Sequence, residues 1–255
     1  MPDLALVTGA TSGIGEALAR LHASRGGDLL IVARRADALA ALKAELEATG
    51  ASVDVVAADL GTPEGIDATL AAAEGRAVDL LVNNAGFGGR GEFVDRPLDE
   101  DLAMVDLNVK ALMALCHGVG GAMAARGRGR ILNVGSTAGR MPGPLQATYF
   151  ATKAFVRSFS FALDEELRAR GVSVTVLAPG YVETGFAARA DLEGTGLTKN
   201  RPATPEAVAK VGYDAAMRGK LEAINDPALA LMLDTVGRVA PARVLMRMVR
   251  KLQTK

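Results

Sequence analysis

Tryptophan is absent from the 255 residues, aromatics make up 4% of them, and 29 basic residues are matched by 29 acidic ones. With few rings to stack on bases and no overall positive field, nucleic acid is excluded as an expected partner. Cysteine occurs once, at Cys116, so no internal disulfide can form, and with His22 and His117 as the only histidines no metal-ligand spacing arises. No metal site is expected, and a lone thiol suits a reducing, cytoplasmic setting. The opening MPDLALVTGA has no charged region followed by an apolar leader, and no apolar run reaches membrane-spanning length. A soluble chain is expected.

What is present is apolar and regularly alternating. A hydrophobic share of 49% can bury a sizeable core, and one domain over 1–255 is expected, with 226–255 as a C-terminal helical extension. LALVT (4–8), DLLIVA (28–33), SVDVVAA (52–58), VDLLVNN (78–84), RILNVGS (130–136) and VSVTVLA (172–178) are β-rich, mostly without polar alternation, as strands buried on both faces should be. Between the second and third, ADALAALKAELEATG places Leu39, Leu42 and Leu46 on one helical face, opens with Asp37 at its positive end and stops at Gly50. Repeated strand–helix alternation implies right-handed crossovers and a Rossmann-type, doubly wound parallel α/β sheet, whose ligands bind at the strands' carboxyl ends. The stretches 86–97 and 180–203 read as loops.

Two short segments carry chemistry. TGATSGIG joins the first strand to a helix, and its Gly9, Gly13 and Gly15 would let a pyrophosphate approach the helix N-terminus, although the GxGxxG spacing is not kept. In ATYFATKAF, Tyr149 and Lys153 stand one helical turn apart. That spacing arises by chance on many surfaces, but an ammonium beside a phenol can also lower its pKa towards neutrality.

The chain resembles the compact single-domain short-chain dehydrogenases/reductases. The resemblance rests on TGATSGIG (8–15), DL (59–60), NNAG (83–86), the asparagine of LNVKA (107–111), the serine of NVGSTAG (133–139), YFATK (149–153) and PGYVET (179–184), in family order over about residues 4–225. It implies Tyr149 as proton donor to a carbonyl, Ser136 as its hydrogen-bonding partner, Lys153 as charge and ribose ligand, and Asn108 as anchor of a water relay. By the same resemblance Gly9, Thr11, Ser12, Gly13, Ile14 and Gly15 cradle the cofactor. Asp59 and the Leu60 backbone meet its adenine, Asn83, Ala85 and Gly86 line it, and Pro179, Gly180, Val182 and Thr184 flank the nicotinamide. The second strand ends near Ala33 without the acid that NAD-binding folds place there; Arg34 and Arg35 follow instead, so the cofactor expected is NADP(H), with Arg34 the main 2′-phosphate ligand and Arg35 auxiliary.

The expected activity is hydride transfer between NADP(H) and a carbonyl/alcohol pair. The alternative is a non-catalytic NADP(H)-binding sensor or scaffold, which the intact Ser136, Tyr149 and Lys153 speak against. Positions expected near the nicotinamide (Phe87, Met141, Pro142, Pro144, Leu145, Tyr181, Phe186) favour an apolar ketone or aldehyde, while Arg90, Arg140 and Gln146 leave a charged substrate open. Phe155, Phe159 and Leu163 lie on the tyrosine helix, which in resembling enzymes forms interfaces, so a homodimer or homotetramer is expected. In the tail APARVLMRMVRKLQTK, Arg243, Arg247 and Arg250 interleave with Val244, Leu245, Met248, Val249 and Leu252. This helix can pack on the body or a partner subunit, or touch an anionic membrane peripherally; packing is preferred because Met246 and Lys251 blur the segregation of its faces.

Overall fold

The computed structural model describes residues 3–199, 202–239 and 241–255. Seven strands form one sheet in the order β3-β2-β1-β4-β5-β6-β7, every pair parallel. They are β1 (Leu4–Thr8), β2 (Asp28–Ala33), β3 (Val53–Ala57), β4 (Val78–Asn83), β5 (Gly129–Val134), β6 (Val172–Leu177) and β7 (Glu222–Ala223). The six strands expected from the sequence are present within a residue or two of their anticipated ends. The seventh adds Glu222 and Ala223 beside Val176 and Leu177, a pairing too short to leave any periodicity in the sequence.

Central strands are apolar on both faces because helices cover both. Leu6 pairs with Leu30 on one side and Leu81 on the other. One layer packs α1 (Gly13–Ser24), α2 (Ala36–Glu47) and α8 (Pro205–Met217) through Leu18, Leu39, Leu42, Leu46, Val208 and Tyr213. The opposite layer packs α3 (Pro63–Ala73), α5 (Leu112–Arg126) and α6 (Ala147–Arg168) through Ala73, Leu112, Leu115, Cys116, Val119, Val156 and Leu167. Truncating any one of these leucines to alanine removes about 2–5 kcal/mol by the general behaviour of buried sites. As anticipated, Leu39, Leu42 and Leu46 form the buried face of α2. Gly50 is left-handed, but the helix caps two residues earlier, at Ala48.

α4 (Leu98–Val105) runs through a π-helical segment, Asp106–Ala111, into α5. The resulting 29-residue helix is long and apolar enough to cross a membrane, although no such run stands out in the sequence. Its face Leu112–Cys116–Val119–Met123 is buried against the sheet as a core helix would be. The expected loop 180–203 contains α7 (Phe186–Arg189) and a 3-10 turn, Gly196–Lys199; its residues 200 and 201 lie outside the described residues.

Chain order reverses between β1 and β4, which opens a crevice beyond their carboxyl ends. The C-terminal extension forms α9 (Pro227–Val239) and α10 (Ala242–Gln253). α10 packs on the body of its own chain: Leu245 and Val249 join the apolar cluster around Tyr149, Gln253 is fully buried against Gln146, and Arg250 pairs with Glu92. Of its other apolar residues, Val244, Met248 and Leu252 remain exposed beside the arginines.

Candidate active site

The glycine turn is built by its backbone. Gly9 and Gly13 adopt φ of 63° and 56°, a region costly for side-chain-bearing residues. There is also no room: a Cβ on Gly9 would stand 2.8 Å from the Asn84 amide, and one on Gly13 2.8 Å from the Thr184 methyl. Asn84 bonds the carbonyls of Thr8 and Gly9 at 2.9 and 3.2 Å, while Thr8 Oγ1 accepts from the Asn84 and Ala85 amides at 2.9 and 3.0 Å. Thr8 and Asn84 therefore clamp the ends of β1 and β4 together. Both were missed as site residues, although both lie inside the motifs TGATSGIG and NNAG. Ser12 N-caps α1 without a side-chain bond, which leaves the amides around Gly13, Ile14 and Gly15 open to an anion at the positive helix end. Thr11 offers its carbonyl to Arg35 at 3.2 Å, so Arg35 is tied to the turn, whereas Arg34 is exposed and has no partner among the described residues.

Asp59 stands exposed past β3 with Oδ1 on the Gly61 amide at 2.9 Å, and Leu60 buries its side chain, leaving only backbone for a ligand. Asn83 departs from expectation. Its side chain is buried and donates to Asn133 Oδ1 at 2.9 Å and to Cys116 at 3.3 Å, so it braces β4 against β5 instead of facing the crevice. The reason is strand alternation: successive side chains point to opposite faces. Val182 is likewise buried in the core, with Ala203 bonded on either side of it through Tyr181 and Glu183. Its own N–H and C=O have no partner among the described residues, so any contact it offers is through the main chain.

Tyr149, Lys153 and Asn108 are buried and Ser136 half-buried, all at the mouth of the crevice. The Ser136 hydroxyl lies close enough to the Tyr149 phenol to favour its ionised form. Ser136 Oγ also accepts from the Ala138 amide at 3.1 Å and leans on the Pro179 carbonyl, which receives the Thr137 amide at 3.0 Å. Gly180 donates to Asn225 at 3.1 Å, so the 179–184 loop is held from both sides. Lys153 Nζ bonds the Val134 carbonyl at 2.8 Å and lies 5.9 Å from the Tyr149 ring centroid. A Cβ on Gly86 would be 2.9 Å from Asn108 Oδ1 and 3.7 Å from Lys153 Nζ, so glycine alone fits between them. The Asn108 carboxamide is engaged by both polar groups of the Phe87 backbone and by Thr152 Oγ1, at 2.9–3.2 Å. Thr152 is a further residue that sequence reasoning passed over.

The expected lowering of the phenol pKa does not hold in this geometry. Burial dominates and pushes Tyr149 up to about 12, with the nearby Ser136 hydroxyl opposing it. The lysine responds instead: burial alone pulls Lys153 down to about 8.

The surroundings of Tyr149 are apolar. Phe186 lies 5.2 Å from its ring, and Phe87, Met141, Phe150, Leu245 and Val249 belong to the same cluster. The three polar residues left open by the sequence are occupied. Arg90 bonds Asp191, Arg140 pairs with Glu222, and Gln146 donates to Gln253 at 2.8 Å. Leu245 and Val249 are wall residues that sequence reasoning did not assign, because only folding brings a C-terminal helix to this cluster.

The lysine shift makes stability depend on pH. Unfolded Lys153 holds its proton to about pH 10.5 but folded Lys153 releases it near 8, so between these values the unfolded state binds more protons and stability rises with pH. Cys116, pushed up to about 12 by burial, opposes this above pH 9. Lys153→Met keeps the cysteine but removes the lysine's contribution. Its stability advantage over wild type should therefore shrink between pH 7 and 9.5 when urea midpoints are compared; parallel curves would refute the assignment.

The profile of the short chain dehydrogenase family matches residues 3–193. A sulfoacetaldehyde reductase of Chromohalobacter salexigens is 40% identical over 190 residues, covering 73% of this chain and 75% of that one. A short-chain dehydrogenase from Sphingobium yanoikuyae, solved in complex with NADPH, superposes with a TM-score of 0.84 at 30% identity over 100% of this chain and 99% of that one. A structure described for 7beta-hydroxysteroid dehydrogenase stereoselectivity superposes at 0.86 and 25% identity, covering 97% and 96%. With the glycine turn, the crevice and the Ser136–Tyr149–Lys153 cluster already in place, these matches establish that the chain belongs to the short-chain dehydrogenase family of oxidoreductases.

Proposed function

We propose that the protein is a single-domain, NADP(H)-dependent reductase of apolar ketones or aldehydes. The observation that carries this reading is the Ser136–Tyr149 hydroxyl pair beside the buried Lys153 ammonium. Bound in the crevice, NADP(H) would supply the hydride. The open amides at the start of α1, the left-handed glycines and the unpartnered Arg34 fit its phosphates. Thr184 and the Val182 main chain fit its carboxamide.

A carbonyl oxygen seated between Ser136 and Tyr149 receives both hydroxyl hydrogen bonds, which strengthen as negative charge develops on it. A phenol with its pKa raised to about 12 is fully protonated at neutral pH, so Tyr149 can complete the reduction by giving that oxygen its proton. The tyrosinate left behind faces the Lys153 ammonium, which stabilises it and passes a proton back. Asn108, separated from Lys153 by Gly86, is the anchor for the water through which that proton is replaced.

The substrate reading rests on the occupied cations. Arg90 and Arg140 are both neutralised by carboxylates, and the wall facing Tyr149 is made of aromatic and aliphatic groups. Relatives named for sulfoacetaldehyde and for a hydroxysteroid show how widely substrates range in the family, so a panel is needed. NADPH oxidation should be at least an order of magnitude faster with apolar ketones than with small keto acids, and Tyr149→Phe should lose it by a factor of about 100 or more. Turnover surviving in Tyr149→Phe would favour the sensor reading.

Arg34 is the group proposed to choose NADP(H) over NAD(H). A charge-assisted bond to a 2′-phosphate is worth about 1.5–3 kcal/mol, so Arg34→Ala should weaken NADPH binding about tenfold or more and scarcely change NADH binding. Equal losses for the two cofactors would sink the assignment.

The same reading includes a homo-oligomer. Phe155 and Phe159 stack 5.5 Å apart on the half-buried face of α6, and Leu98, Leu102 and Met113 are exposed along α4 and α5. Light scattering at micromolar concentration should give a dimer or tetramer mass; a monomer mass would refute it.

A further inference from the structure

Once folded, α10 divides lengthwise into three rows, because residues four apart on a helix stack with a drift of only about 40°. Leu245, Val249 and Gln253 form the inward row, on the Tyr149 cluster and Gln146. Arg243, Arg247 and Lys251 form a second row, all of them exposed. Val244, Met248 and Leu252 form a third beside it and are 47%, 55% and 47% exposed. The two residues that blur the faces in the linear chain fall into place: Met246 is half-buried, and Lys251 continues the arginine row.

A helix docked on the body of a protein ordinarily turns a polar face to water. The outer face of α10 is instead half apolar and half cationic. Residues 242–253 contain no acid, and Arg243, Arg247 and Lys251 have no carboxylate partner among the described residues. The neighbouring cations differ, since Arg250 pairs with Glu92 and Lys255 with Asp191. The Glu92 pair also brings a second apolar element to α10: Phe93 and Val94 follow that carboxylate and are 53% and 86% exposed.

We propose that the outer face of α10 docks on an anionic lipid surface, with Arg243, Arg247 and Lys251 on the headgroups and Val244, Met248 and Leu252 at the acyl boundary. Long basic stems reach headgroup anions while the apolar row beside them sinks in, which is the division of labour of interfacial helices. A second copy of the chain meeting this face with its own would bring another α10, with no acid to answer the cations. The chain carries no net charge, so the attraction belongs to this row and not to the molecule at large. The docking does not depend on the reductase reading. Where that reading holds, the helix whose inner face walls Tyr149 would lie against the bilayer, in which apolar ketones dissolve.

The test is flotation of the purified full chain with lipid vesicles, and it needs no turnover. Vesicles of phosphatidylcholine alone are compared with vesicles containing about one third phosphatidylglycerol, in about 0.1 M salt. Wild type should bind the anionic vesicles about tenfold or more tightly than the neutral ones, and raising the salt to about 0.5 M should remove most of that preference. The triple variant Arg243→Gln, Arg247→Gln, Lys251→Gln should weaken binding to anionic vesicles about tenfold or more, and the pair Val244→Ser, Met248→Ser by a similar factor. All five positions are exposed, so melting midpoints within about 3 °C of wild type should report intact folds. Wild type that ignores anionic vesicles or binds both kinds equally overturns the proposal, and so does a triple variant that binds as wild type does. A triple variant that changes the mass in light scattering and leaves vesicle binding untouched also overturns it, assigning the face to a subunit contact.

Discussion

The site depends on a helix face that is polar and yet buried. Along α6, Tyr149, Thr152, Lys153, Ser160 and Asp164 all point inwards with Val156 and Leu167. Each polar group has found a partner on the sheet or beside it. Lys153 reaches the Val134 carbonyl, Ser160 receives Asn133 at 2.8 Å, and Asp164 accepts the Val174 amide at 2.8 Å while pairing with Arg168. An unpaired polar group in such a place would cost about 1–3 kcal/mol, so a one-residue slip of the helix would break several bonds at once. Apolar contacts tolerate small slides; this row of bonds allows a single register. Through it the ends of β5 and β6 hold the tyrosine and lysine opposite Ser136.

The second constraint lies across the crevice, where hydrogen bonds rather than side-chain packing hold the cofactor side open. Thr8 and Asn84 bind the ends of β1 and β4 to each other, leaving the glycine turn without side chains in its path. The substrate side is closed differently, by ion pairs. Arg90 joins the loop after β4 to Asp191 beyond α7, Lys255 reaches the same carboxylate, and Arg250 joins α10 to Glu92. Such exposed pairs are individually weak and screened by salt. The cofactor half is thus held by buried hydrogen bonds, and the substrate half adds exposed ion pairs to the buried packing of α10.

Electrostatics divide the same way. Around Tyr149 the wall is aromatic and aliphatic and the Lys153 ammonium is held by the Val134 carbonyl, an apolar setting in which hydroxyl donors act strongly. Past β2, Arg34 stands exposed with no acid bonded to it among the described residues. One chain with no net charge therefore sets an apolar cluster around Tyr149 and an exposed guanidinium past β2.

Much of this was legible in the linear chain. Strands buried on both faces must be continuously apolar, so six of seven announced themselves, as did the leucine face of α2 and the family order of the motifs. Local spacing also brought Tyr149 and Lys153 to one face of one helix. What the sequence could not carry was any property set by long-range burial or by which way a side chain points. Asn83 sits in a motif but turns into the core, Val182 offers only its main chain, and Asn84, Thr8 and Thr152 act through contacts that only folding creates. The two-residue β7 has no pattern to detect. A phenol beside an ammonium suggests a lowered pKa from sequence spacing, yet desolvation reversed the sign, because burial acts on both groups and can be known only once the whole chain has closed around them. Sequence determined the fold and named the candidate reacting groups, since both follow from motifs in the linear chain; tertiary structure decided their protonation, their orientation and the wall that α10 adds, since these depend on residues far apart in the chain.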